Sequence, residues 1–214
     1  MGNAVSFDAN PILALMRADV AVHELGHFAG FCLAAGAALP DSETLTVRRL
    51  DEGGYRALYP DGWTPEAVDD RLIGTACGPM AGWAFSESIV RTASSPPLEK
   101  SLARIREADG IELMILAMSD RSASDSDKRL MMIAGCLAGS EQKGARITQS
   151  MRSAALLGLY FAHADEGQTL ALMIHRSISG ERGEFDLTAG AVRQLLAGAE
   201  AFFAQQPEPA EAMA

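Results

Sequence analysis

The residues best suited to chemistry are two histidines and a glutamate close together near the start of the chain. They form the sequence His23-Glu24-Leu25-Gly26-His27, an HExxH pattern. In a helix, residues four positions apart share a face, so both imidazoles can bind one metal ion. Glu24 lies about 100° further round the helix, where it can reach a water molecule rather than the metal. The pattern therefore predicts a zinc site that hydrolyses peptide bonds, with Glu24 as the general base.

The alternative is a polar cluster without a metal, in which the histidines are ordinary core residues and Glu24 is their partner. Residues 18–38 are apolar on nearly every face, which is typical of a helix in the centre of a fold. Two histidines and a glutamate are costly to bury in such a helix unless something pairs with them. A metal ion is the simplest partner, so we favour the zinc site.

A zinc site of this kind needs a third protein ligand and leaves the fourth position for water. The metzincin pattern would place a third histidine at position 33, but the residue there is Leu33, which excludes that arrangement. Glu87 would suit a thermolysin-like site, in which a later helix supplies a glutamate. Asp125 and Asp127, just ahead of another predicted helix, are the stronger candidates. Either aspartate could instead cap that helix and complement its dipole.

The pattern of apolar and β-branched residues predicts the elements that position these side chains. Residues 11–39 predict a helix with a break near its start. Alternation over 44–50 and 55–59, on either side of a Gly-Gly turn, predicts a β-hairpin. Thr64-Pro65-Glu66 is a typical helix start and predicts a helix that ends near Thr92 and carries small residues in its middle. Further predicted helices cover 98–108, 111–119, 126–138, 141–162, 166–178 and 188–205.

Together these elements predict a mostly α fold of the α+β class, a zincin-like helical domain with a small β-hairpin beside the metal-binding helix. The chain has 214 residues, enough for one sizeable core. We therefore expect a single domain over residues 1–205 and a disordered tail over 206–214.

Composition narrows the choice of partners and compartment. The formal net charge of −10 argues against nucleic acid as the main partner. Because no segment approaches 18 uninterrupted apolar residues, we expect no membrane span. Cys32, Cys77 and Cys136 are widely spaced and form no CxxC pair. We interpret all three as reduced core residues of a cytoplasmic protein.

Four segments, in order along the chain, resemble the peptidase domain of the FtsH family of ATP-dependent zinc proteases. They are the HExGH motif at 23–27, the hairpin at 44–60, the small-residue segment at 76–83, and the Ala-Ser-Asp-Ser-Asp sequence at 123–127. The resemblance implies that His23, His27 and Asp127 bind zinc. It also implies that Glu24 is the general base, with Asp125 as the alternative third ligand.

The same resemblance implies how a substrate binds. A peptide backbone would pair with the edge of the strand around Gly54, Tyr55 and Arg56 by β-strand addition. The alternative for this strand is an ordinary hairpin that covers the core. The implied partners are unfolded, exposed or short peptides.

The chain departs from the family in several places. It has no Walker A sequence, so we expect a stand-alone peptidase without ATP-driven unfolding, and a family-type oligomer is not implied. Trp83 stands where the family usually has an acid, and residues 94–120 look like an insertion. From Glu141 onward the likeness is only that the chain is helical. A competing prediction is a zinc-binding or metal-free interaction module that keeps the fold without cleaving, although the intact Glu24 argues against it.

Overall fold

The computed structural model describes residues 11–51, 54–60, 68–90, 98–138 and 141–205. In chain order the helices and strands are α1 (Pro11–Met16), α2 (Asp19–Ala35), β1 (Thr44–Arg49), β2 (Tyr55–Leu58), α3 (Val68–Val90), α4 (Leu98–Glu107), α5 (Gly110–Met118), α6 (Asp125–Ala138), α7 (Glu141–His163), α8 (Asp165–Ser179), β3 (Glu184–Thr188) and α9 (Ala189–Ala204). A short 3-10 helix, Gly36–Ala38, follows α2.

These elements confirm the predicted fold class, because the chain is mostly helical with a small antiparallel sheet. The predicted helix over 11–39 breaks between α1 and α2, and each helix predicted after position 97 matches an observed helix to within one residue at either end. The predicted helix start at Thr64-Pro65-Glu66, the predicted end near Thr92 and the tail over 206–214 lie outside the described residues.

The sheet contains a strand that the sequence analysis missed. β3 pairs antiparallel with β1 on the side opposite β2, which gives the strand order β2-β1-β3. It is only five residues long and runs directly into α9, so its alternation is too short to distinguish from a loop. β1 is therefore the central strand, with Leu45 and Val47 fully buried against the helices. Within the part of the chain that the structure describes, β2 is an edge strand.

Helix α2 is the central element of the fold. It is buried on almost every face and contacts α3, α7, α8, α9 and the sheet. Any polar side chain on this helix must therefore find its partners inside the protein. This is the setting in which the HExxH residues lie.

Helices α2 and α3 pack at backbone contact. A methyl group on Gly30 would lie 2.7 Å from the Cys77 Cβ atom, and one on Gly26 would lie 2.5 Å from the Cys77 carbonyl oxygen. On α7, a methyl group on Gly158 would overlap the backbone of Ala81. Helix α3 is therefore held between α2 and α7 with no space for side chains at these crossings.

The cysteines are only partly where the sequence predicted them. Cys32 and Cys77 are buried, as expected, but Cys136 is exposed, so its interpretation as a core residue was wrong. The reason is that α6 turns apolar residues outward: Met132 and Ile133 are also exposed. Hydrophobicity alone therefore did not identify the inward face of this helix.

One segment in the described part of the chain, Asp19–Ala38, is long and apolar enough to cross a membrane by length and composition alone. Its mean hydropathy is 1.2, and 67% of it is buried within the fold. A core helix of a water-soluble protein has the same properties. That the chain has no membrane span stays a prediction.

We predict that Gly30→Ala lowers the free energy of unfolding by about 1–3 kcal/mol, because the added methyl group forces α2 and α3 apart. Denaturant unfolding followed by circular dichroism measures this. Gly198→Ala in α9 is the matched control, since a methyl group there meets no atom within 4 Å. Helix propensity alone should then stabilise the control by up to about 1 kcal/mol. Equal effects of the two substitutions would contradict the close packing.

Candidate metal centre

The HExxH residues lie in the middle of α2, at the floor of an open cleft. His23, Glu24 and His27 are 2%, 7% and 9% exposed. The cleft has a volume of about 580 Å³ and is lined by residues of α2, β2, α3 and α6. The three side chains are therefore enclosed by protein but open to a ligand from one side.

The two imidazoles turn the same nitrogen toward each other. Their Nε2 atoms are 3.1 Å apart, and the ring planes meet at 80°. The Nδ1 atom of His23 lies 2.6 Å from Asp120 Oδ2, and that of His27 lies 2.9 Å from the Gly74 carbonyl oxygen. A carboxylate and a carbonyl only accept, so each Nδ1 donates. Each Nε2 atom is left to offer its lone pair to the space between the rings.

Asp127 supplies a carboxylate to the same space. Its oxygens lie 3.8 Å from His23 Nε2 and 3.9 Å from His27 Nε2. The carboxylate also accepts hydrogen bonds from the backbone N–H and the hydroxyl of Ser124. The backbone N–H of Asp127 donates to Ser124 Oγ in return. These reciprocal bonds form a capping box at the start of α6. The two roles foreseen for this segment, helix cap and site residue, therefore belong to one side chain. Asp125 is exposed and lies outside the cluster.

The three groups fit a cation. One ligand atom from each of His23, His27 and Asp127 lies within 4.8 Å of the others, and no other such group of His, Cys, Asp or Glu occurs among the described residues. Two lone pairs and a carboxylate at this separation repel one another unless a positive charge lies among them. A proton can provide it, and so can a metal ion. Two imidazoles and one carboxylate form a donor set that zinc accepts.

The two histidines differ in their affinity for a proton. Burial lowers the pKa of His23, but the hydrogen bond and charge of Asp120, together with Glu24 and Asp127, outweigh burial and raise it overall. Burial and then the charge of His23 lower the pKa of His27. A proton added to the pair therefore goes to His23, and His27 stays neutral.

Asp120 is the site residue that sequence reasoning missed. It follows α5, lies 97 positions beyond His23 and has a fully buried side chain. Its second oxygen accepts from the Ser122 backbone N–H at 3.2 Å. A carboxylate behind a metal-binding histidine sets the orientation and tautomer of the ring. No spacing rule in the sequence relates two residues so far apart.

Small residues of α3 leave room for the site. Gly74, Gly78 and Gly82 are four positions apart and so share one face of the helix. Gly74 provides the carbonyl oxygen that binds His27, and a methyl group on Gly78 would overlap the His27 ring. A methyl group on Gly82 would lie 2.6 Å from Asp120 Oδ2. The small residues that the sequence places in the middle of this helix thus make room for side chains of the site.

Glu24 lines the cleft beside the imidazoles. In the part of the chain that the structure describes, no hydrogen bond or ion pair to its carboxylate is formed. Although the residue is only 7% exposed, its oxygens are not among the fully buried polar atoms that lack a partner, so they are open to the cleft. Its position leaves it free to accept a proton from a molecule in the cleft.

The remaining predicted residues fall in two places. Gly54, Tyr55 and Arg56 line the same cleft as the histidines, at the edge strand β2. Glu87 lines a separate and smaller cavity, together with Trp83. The structure therefore does not bring Glu87 to the histidines, whereas it does bring Asp127 to them.

No protein-family model matches the chain, and no curated protein or solved structure matches it either. The resemblance to the FtsH peptidase domain therefore stays a prediction from the residues quoted above.

We predict that Gly78→Ala weakens zinc binding by at least about tenfold, because the methyl group displaces the His27 ring and ligand geometry controls metal affinity. Competition with a chromophoric chelator measures this. Gly74→Ala is the matched control on the same face, since its methyl group would approach no atom closer than 4.0 Å. Equal zinc affinity of the two variants would contradict the placement of His27.

We predict that Asp120→Asn weakens zinc binding by about 10- to 100-fold, because His23 loses the charge that holds its Nδ1 proton. The same chelator competition applies. Asp125→Asn removes the same charge from a nearby exposed position and should leave zinc affinity unchanged. A loss of affinity in Asp125→Asn but not in Asp120→Asn would exclude this assignment.

Proposed function

We propose that the chain is a zinc-dependent peptidase in which His23, His27 and Asp127 hold the metal and Glu24 is the general base. The observation that supports this most directly is the convergence of two Nε2 atoms and a carboxylate beside an unpaired, buried glutamate in an open cleft. A non-catalytic zinc module needs the three ligands but has no use for the glutamate. The presence of Glu24 together with the three metal ligands therefore favours hydrolysis over metal binding alone.

Zinc bound at these residues would lower the pKa of a coordinated water toward about 7 and polarise a carbonyl group. Glu24 takes the proton of the attacking water and passes it to the nitrogen of the leaving amine. Asp120 and Gly74 hold the two imidazole rings from behind. Ser124 holds the carboxylate of Asp127 through the capping box at the start of α6.

The edge strand suggests how a peptide reaches these groups. Among the described residues β2 pairs with a strand on one side only, and residues 54–57 line the cleft that contains Glu24. An extended peptide can add to such an edge through main-chain hydrogen bonds. Most extended backbone in folded proteins is already paired within sheets, so the substrates are unfolded, exposed or short peptides. The strand itself selects backbone shape rather than sequence.

We predict that Glu24→Gln binds zinc as tightly as the wild type but hydrolyses labelled casein at least about 10²-fold more slowly, because the amide cannot accept the proton. Zinc content and casein hydrolysis are measured on the same preparations. Glu87→Gln, the same change in the separate cavity, should keep both properties.

Two results would decide against the proposal in different ways. If Glu24→Gln cleaves as fast as the wild type, Glu24 is not the base. If the wild type binds zinc but cleaves neither casein nor short peptides, the chain is the zinc-binding interaction module instead.

A further inference from the structure

The ring of Tyr59, which follows β2, packs against the face of α2 that carries the two imidazoles. His23, His27 and Phe31 follow one another at intervals of four residues and therefore share that face. The Tyr59 ring stacks on Phe31 with ring centroids 4.2 Å apart and an angle of 12° between the planes. This stacking places Tyr59 one helical turn beyond His27, in the wall of the cleft.

The hydroxyl of Tyr59 is close to the backbone that supports His27. It lies 4.0 Å from the position that a Cβ atom of Gly74 would occupy, and the carbonyl oxygen of Gly74 binds His27 Nδ1. The ring also meets Phe28 edge-on at 6.4 Å. Contacts with two aromatic rings of the buried helix α2 limit its rotation, so its hydroxyl has a defined position.

The Tyr59 hydroxyl is available to a ligand. Among the other hydroxyls that line the cleft, that of Thr75 donates to a carbonyl one turn back in α3 and that of Ser124 donates to Asp127. The hydroxyl of Ser122 also has no partner among the described residues, but it is buried, whereas Tyr59 is 37% exposed. Across the described ranges of the chain, no protein group is hydrogen-bonded to the Tyr59 hydroxyl. A phenol keeps its proton at neutral pH and can donate. Although 37% of Tyr59 is exposed, burial around its hydroxyl and the charges of Glu24 and Asp127 raise the pKa further.

We propose that Tyr59 is a catalytic hydrogen-bond donor, whose hydroxyl binds the oxygen of the scissile carbonyl as negative charge develops on it. This inference rests on the proposed peptidase function. When water attacks, a carbon–oxygen bond forms, the carbonyl π pair moves onto the carbonyl oxygen, and the water proton goes to Glu24. The nearby carboxylates of Glu24 and Asp127 cannot donate to that oxygen, whereas a phenol can. A positioned donor of this kind acts mainly on the transition state.

Tyr59→Phe tests the inference, because it removes the hydroxyl and keeps the ring that stacks on Phe31. With an internally quenched peptide substrate, kcat should fall by about 10²-fold while KM changes little and zinc affinity is unchanged. Tyr160→Phe is the matched control. Its hydroxyl lies on α7, 3.4 Å from Glu166 Oε2 and outside the cleft, so kcat should stay at the wild-type value.

A binding measurement gives a readout besides activity. A peptide phosphinate, whose tetrahedral oxygens imitate the charged carbonyl oxygen, should bind zinc-loaded Tyr59→Phe about 10²-fold more weakly than the wild type in calorimetry. A product peptide without the tetrahedral group should bind both equally.

The possible outcomes separate the two proposals. Wild-type hydrolysis together with full kcat and phosphinate affinity in Tyr59→Phe overturns the role of Tyr59 and leaves the peptidase proposal standing. Equal losses of affinity for phosphinate and product peptide also overturn it, because the hydroxyl would then only shape the cleft. If the wild type hydrolyses no peptide, both proposals fail.

Discussion

The repulsion between two imidazole lone pairs and a carboxylate is the interaction on which the rest of this structure depends. The Nε2 atoms of His23 and His27 are 3.1 Å apart with the carboxylate of Asp127 beside them. Hydrogen bonds behind the rings prevent either imidazole from turning its protonated nitrogen toward the other. A positive charge among these atoms relieves their repulsion, which is why the arrangement is suited to a cation.

The scaffold supplies this arrangement through backbone contact rather than through a polar network on the surface. Because α2 and α3 meet at glycines, the carbonyl of Gly74 reaches His27 directly, and Gly82 leaves space for Asp120. The carboxylate of Asp127 is held by the same capping box that begins α6. The main chain thus supports His27 and Asp127 directly, and the side chain of Asp120 supports His23, so the ligand atoms are positioned before a ligand arrives.

Features formed by residues close together in the sequence could be predicted, whereas contacts between residues far apart in the sequence could not. The HExxH pattern and the helices rest on local periodicity, and the structure places them as expected. Asp127 lies 100 positions beyond His27, so local reasoning left it level with Asp125, and only the family resemblance separated the two. The Ser124-x-x-Asp127 spacing is itself a capping-box signal that could have marked Asp127. Asp120 and Tyr59 carry no local signal, because their roles arise from tertiary packing. β3 was missed for a different reason: the alternation of apolar and polar residues over its five positions is too brief to predict a strand.

Zinc K-edge X-ray absorption on protein purified without chelators, together with its zinc content, tests the metal site most directly. If His23, His27 and Asp127 hold zinc, each chain should contain one zinc ion with two imidazole nitrogens and oxygen ligands at about 2.0–2.2 Å. The bound zinc should be lost in Asp127→Asn. A substoichiometric zinc content, sulfur in the coordination shell or fewer than two imidazole ligands would contradict the assignment of His23, His27 and Asp127.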